Sequence, residues 1–173
     1  MSSKKTNRKD DMPNGISLLI SILVRYPEIG TINFNPRNHT LKFIFLITEV
    51  LPDPEFAKFK AKVILSLETL CYLENRPAAT VNLAKSVFEG ITQIEVIRDV
   101  TSLTREEISL IIQLFRQEFP RNLVSDQNDN LLEEDLQVQE ELIENMLEDL
   151  RVASNDKNFI AFREEGRVLV FNK

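Results

Sequence analysis

The apolar residues of this chain switch between two periods, and that switching limits the fold more than any other feature. In some stretches they recur every three or four positions, as one face of a helix requires. In others they alternate, as a strand with one buried face requires. The order is helix, hairpin, helix, hairpin, helix, and then, past a polar stretch, helix and hairpin. Hairpin strands pair antiparallel and need only short loops. The pattern therefore predicts an α+β fold: an antiparallel sheet of hairpins with helices packed on one face, in two layers, ordered α-ββ-α-ββ-α and then linker-α-ββ.

Breakers and caps punctuate the pattern. Asn14 offers an N-cap to a helix from about Gly15 to Arg25, and Pro27 stops it. Ile16, Leu19, Ile20 and Leu23 form its stripe, and Leu18, Ile22 and Val24 widen it enough to predict burial on most sides. Strands Gly30 to Asn35 and Thr40 to Thr48 flank the turn Pro36-Arg37-Asn38-His39. Leu41, Phe43, Phe45 and Ile47 share one face of the second strand and Ile44 and Leu46 the other, which predicts a central strand covered on both sides.

Asp53 as cap, Pro54 at the first position and Glu55 open a second helix that runs to about Glu74, with Phe56, Phe59, Val63, Leu67 and Leu70 at helical spacing. Ala79 to Phe88 and Ile91 to Val100 read as strands around Gly90, although Asn82 to Lys85 also suits a helical turn. Thr104-Arg105-Glu106-Glu107 is a capping box: Thr104 bonds the Glu107 amide and the Glu107 carboxylate reaches back. Pro120 closes that third helix.

Four regions follow. Residues 1–13 read as a disordered basic tail, 14–120 as the α+β core and 121–130 as a polar linker. Residues 131–173 form an acidic helix plus hairpin that docks on the core or on a second subunit. The helix, from about Leu131 to Val152, has its stripe at Leu132, Leu136, Ile143, Met146, Leu147 and Leu150. Phe159 to Arg163 and Arg167 to Phe171 flank Glu164-Glu165-Gly166, where the glycine supplies a positive φ.

Catalytic and cofactor patterns are sparse. The one histidine, His39, sits in a turn, where it reads as an exposed residue. The one cysteine, Cys71, lies on the apolar side of the second helix, where it reads as core. One Cys and one His serve zinc poorly. The four glycines are far apart, so neither dinucleotide nor P-loop fingerprints occur, and no cofactor is implied. Asp126-Gln127-Asn128-Asp129-Asn130 matches the opening of a calcium loop. Leu131 then stands where glycine must turn the chain, and Gln137 where a bidentate glutamate is needed, so a solvated linker is the better reading.

A net charge of −6 argues against nucleic acid and against anionic membranes as partners. The apolar run Ile16 to Val24 is about half of the ~20 residues a membrane helix needs. No export signal precedes it, so the default location is the cytoplasm, where a lone unpaired cysteine also fits. Phe34, Phe43, Phe45, Phe159, Phe162 and Phe171 read as core rather than as stacking platforms for RNA, because Lys42 is the main positive charge near the first hairpin. The terminal run Phe159 to Phe171, with Phe162-Arg163 and Gly166-Arg167-Val168, resembles the dimerising C-terminal segment of ribosome hibernation factors. The basic N-terminal domain of that family has no counterpart here, and no site residue is carried over.

These readings favour a self-associating interaction module, a homodimer, with no catalytic constellation. Glu133, Glu134, Glu140, Glu141, Glu144 and Glu148 on the acidic helix are the candidate face for a basic protein partner. Two alternatives stand beside it: a small-ligand or metal-dependent enzyme using carboxylates in a pocket between sheet and helices, and a ribosome- or RNA-associated factor.

Overall fold

The structure is a computed structural model, and it describes residues 14–77, 81–126, 133–152, 158–164 and 167–172. The chain runs α1 (Asn14–Arg25), β1 (Thr31–Asn35), β2 (Thr40–Ile47), α2 (Asp53–Leu73), β3 (Val81–Phe88), β4 (Ile91–Asp99), α3 (Arg105–Glu118), α4 (Glu133–Val152), β5 (Phe159–Glu164) and β6 (Arg167–Asn172). The fold is α+β. All six strands form one antiparallel sheet in the order β3-β4-β2-β1-β5-β6. Residues 82–85, open to two readings in the sequence, are strand.

One face of the sheet is the core. Ile32 pairs with Phe43, Phe43 with Val96 and Val96 with Leu83, so a single apolar row crosses four strands. All four side chains are buried. Phe45 stacks on Phe115 of α3 at 3.8 Å, and Phe59 of α2 meets Phe115 edge-on at 4.9 Å. Rings at such offsets add about 0.5–1.5 kcal/mol per pair beyond their burial. They fix α2 and α3 over the β2–β4 half of the sheet.

Over the other half lies α1, whose Leu18, Leu19, Ile22 and Leu23 are fully buried. A helix on a sheet buries one side only. The other side of α1 is covered by α4, through Ile143, Leu147 and Leu150. Helix α4 packs on α1 and α3. Its hairpin enters the sheet beside β1, with Thr31 opposite Phe162 and Phe34 opposite Phe159.

Residues 121–126, placed in the polar linker by composition, run back along the end of β2. Leu123 bridges Ile47, and the Val124 amide donates to the Leu46 carbonyl at 2.9 Å.

Several local expectations differ from the structure. Strand β2 is central, yet only one of its faces is covered: Ile44 and Leu46 are half-buried, and among the described residues no helix lies over them. Position in a sheet and coverage by a second layer are separate matters, and alternation of apolar types on both faces does not distinguish them. Asp53 makes no cap bond; Pro52 holds the N-cap position and the Asp53 carboxylate pairs with Lys85. Half of the capping box forms. Thr104 Oγ1 accepts from the Glu107 amide at 3.3 Å, but the Glu107 carboxylate turns inward to two arginines. His39 is half-buried rather than exposed, and its Nε2 lies 3.1 Å from the Leu150 carbonyl at the end of α4.

Candidate functional site

The two edges of the sheet are built differently. Strand β3 carries a charge on its core-facing side. Lys85 Nζ donates to the Leu51 carbonyl at 2.7 Å and to the Asp53 carboxylate. That hydrogen bond, with the charge behind it, holds the Asp53 carboxyl below its ordinary value. A charge turned inward on an edge strand is a standard way to discourage another strand from pairing there.

Among the described residues, strand β6 has no such guard. Its sequence, Arg-Val-Leu-Val-Phe-Asn, has no proline and one charge, at its start. Leu169 lies opposite Phe162 and Phe171 opposite Ile160, all on the open face of the sheet. The rings of Phe162 and Phe171 are parallel within 12° at 5.5 Å, and Phe171 is 52% exposed.

The hydrogen-bond phase of this edge follows from one contact. The Arg163 amide donates to the Gly30 carbonyl, on the β1 side. Amides alternate in direction along an antiparallel strand, so Phe162 bonds towards β6 and pairs there with Leu169. The amides of Val168 and Val170 then face away from the sheet, ready to pair with another strand.

On the same open face, beside the β1–β2 turn, lies a cavity of about 320 Å³. It is lined by four carboxamides, Asn33, Asn35, Asn38 and Asn158, with Lys42 at one side and Ile97 and Ile160 as apolar wall. Asn35 Oδ1 is occupied: it accepts from the amides of Arg37 at 3.0 Å and Asn38 at 3.4 Å and so shapes the turn. Lys42 faces Glu95 at 3.7 Å. Asn33 Oδ1 and Asn158 Oδ1 are buried and have no hydrogen-bond partner. Among the described residues, no carboxylate lines this cavity.

The densest charge cluster is internal. Arg98 of β4 and Glu107 of α3 are both fully buried. Arg98 donates to Glu107 Oε2 through Nε at 2.9 Å and through Nη2, and also to Asp99 and Ser102. Glu107 Oε1 takes Arg76 at 3.0 Å and the Cys71 thiol at 3.5 Å. Burial, followed by the charge of Glu107, pushes the Cys71 thiol up. Burial also works against the charged form of Asp99, yet hydrogen bonds from Ser102 and the charge of Arg98 outweigh it and hold that carboxyl below its ordinary value. The cluster ties the end of α2, the end of β4 and the start of α3 together. With its central pair sealed from solvent, it works as a brace.

The acidic helix is partly compensated within the chain. Glu140 takes Arg25 at 2.7 Å and Arg105 at 2.8 Å, and Glu144 accepts from the Arg105 amide at 3.3 Å. Glu141 and Glu148 are exposed. Glu133 and Glu134 belong to α4, but their side chains lie outside the described residues, as does most of the calcium-loop stretch and the Gly166 turn. Of the four glutamates whose side chains are described, two are thus bonded within the chain and two are exposed. Cys71 is buried. Among the described residues, no group of three or more His, Cys, Asp or Glu is placed to hold a metal ion, and no helix is long and apolar enough to cross a membrane.

Sequence reasoning missed the cavity, because it is assembled from β1, β2, β4 and the start of β5. The one available signal was the density of asparagine around the first hairpin: Asn33, Asn35 and Asn38. Compared with known proteins, the chain matches no family model, no curated protein and no solved structure.

Proposed function

We propose that this protein is a non-enzymatic interaction module that self-associates by pairing β6 with β6 of a second copy. The observation that carries this reading is the contrast between the edges: β3 is guarded by Lys85, whereas β6 is apolar, unguarded and has its Val168 and Val170 amides facing outward. Antiparallel pairing of a strand with its own copy is a self-complementary, two-fold contact. It would join two six-stranded sheets into one and continue the open-face patch of Ile160, Phe162, Leu169 and Phe171 across the axis. A cytoplasmic location belongs to the same proposal, supported by the lone, buried Cys71 thiol; its appearance in an exported fraction on cell fractionation would count against it.

Sedimentation velocity of the full chain tests the association. The chain mass is 20.0 kDa, and a species of twice that mass is expected at micromolar concentration. Val170→Pro removes an outward amide without touching the β5–β6 ladder, since proline is tolerated where a strand amide faces outward. This variant is expected to be monomeric. Val87→Pro, on the opposite edge, is expected to retain the dimer. A wild-type chain that sediments as a monomer, or a Val170→Pro variant that still dimerises, refutes the proposal.

A further inference from the structure

We infer that the outward face of α2 pairs antiparallel with the α2 of a second copy, as a weak contact separate from the β6 edge. Leu65 stands midway between the buried Val63 and Leu67. At about 100° per residue it therefore points straight away from the core. Lys58 and Tyr72, seven residues to either side, share its line, and Ala61 and Thr69 flank it; all four are exposed. Leu65 is 64% exposed, Tyr72 80% and Leu73 72%, three of the four most exposed large apolar side chains among the described residues. Apolar side chains scattered singly over a surface are ordinary, but three on one helix face mark a contact.

Covering this face breaks few bonds to water. Ser66 Oγ donates to the Lys62 carbonyl and Thr69 Oγ1 to the Leu65 carbonyl, each at 2.7 Å. Hydroxyls bonded within their own helix need no outside partner.

Charge and size choose the occupant. The first half of the face carries Lys58 and Lys62, and the last half carries Glu68. Lys62 lies 4.0 Å from Glu118 of α3, and both side chains remain exposed. A second α2 laid antiparallel brings its acidic half along the basic half of the first, and the reverse. A parallel one sets like charges together, which costs affinity. Ala57 and Ala61 are small, whereas Tyr72 and Leu73 are large. The same reversal lays the large half on the small half, with Leu65 at the two-fold axis. Each copy then offers the same patch, an isologous contact that closes at two.

The face is one helix wide, so it falls below the ~1,200 Å² of a stable interface, and a Kd on the order of 10⁻⁴ M is expected. Helix α2 packs on α3 and on β3, the edge strand opposite β6. The two contacts can therefore form together, and neither requires the other.

Sedimentation equilibrium of the full chain tests the inference. From ~10 μM to ~1 mM the weight-average mass is expected to rise about 1.5-fold or more, whatever species β6 sets at the lower concentration. Leu65→Glu puts a charge at the axis and leaves the core untouched, and it is expected to abolish the rise. Lys58→Glu is expected to weaken the association about threefold. Adding Glu68→Lys to that same chain is expected to restore it, as antiparallel order requires. The inference is overturned if the wild-type mass does not rise, if Leu65→Glu rises as the wild type does, or if the double reversal associates no better than Lys58→Glu alone. Failure of the β6 reading shows separately, as a wild-type monomer at the lower concentration.

Discussion

Removing the Glu107 carboxylate should be among the most damaging single changes in this protein. Arg98 is fully buried, and Glu107, fully buried too, supplies a counter-charge to it with two hydrogen bonds. Asp99, the other carboxylate on Arg98, is one quarter exposed and is shared with Ser102. Breaking a buried pair by deleting one partner costs about 3–5 kcal/mol, because the remaining charge stays desolvated. Glu107→Leu should fall at the top of that range, about 5 kcal/mol. Glu107→Gln keeps an oxygen to accept from Arg98 and should fall near 3 kcal/mol. Arg76 is 22% exposed and can recover water, so Arg76→Ala should cost only about 1–2 kcal/mol. Against the 5–15 kcal/mol typical of a whole domain, the first two changes approach unfolding. Urea denaturation followed by circular dichroism reads the series as a falling midpoint at constant slope. The double variant Arg98→Met with Glu107→Leu should lose less than Glu107→Leu alone, since it buries no charge. If Glu107→Leu costs less than about 1 kcal/mol, or the double variant is worse than the single, the brace is not what holds these elements.

Two further outcomes follow from the same region. The Asp99 carboxyl titrates below its ordinary 3.8 when folded, so the stability it contributes is complete above that value and is lost as pH falls through the folded one. Asp99→Asn should therefore flatten the acid limb of a stability–pH curve below pH 4 and leave the limb above pH 7 unchanged; an unaltered acid limb refutes this. The Cys71 thiol is buried and pushed up, so an alkylating reagent at neutral pH should not label the native chain and should label it fully in denaturant; prompt native labelling contradicts the packing.

Local periodicity carried the elements of this fold. Ile32, Phe34, Leu41, Phe43, Phe45 and Ile47 alternate in the sequence and are all buried on one sheet face. Thr104 announced the start of α3 and caps it. These are near-neighbour properties, set within one or two turns of chain. What could not be read is what depends on distant partners. Glu107 has the spacing of a capping-box residue, but buried Arg98 competes for its carboxylate and wins because a fully buried charge needs it more than an amide at a helix start does. His39 looks like any turn residue until α4 brings the Leu150 carbonyl to it. The same holds for the cavity, whose Asn33 on β1 and Asn158 just before β5 are far apart in the chain. Of the six glutamates on the acidic helix, Glu140 is held by the guanidinium groups of Arg25 and Arg105 and Glu144 by the Arg105 amide, all from other parts of the chain.

The placement of β5 beside β1 also governs when this protein can finish folding. Arg163 reaches the Tyr26 carbonyl across a separation of 137 residues, and β1 has no second neighbour until β5 has been made. Until β5 is made, β1 therefore has a bare edge, and until α4 is made α1 lacks the contact between them. Long-range pairing of this kind slows folding and leaves the unfinished chain open to the wrong strand. The half-made protein thus carries for a time a second strand edge, besides the one that β6 forms in the finished chain.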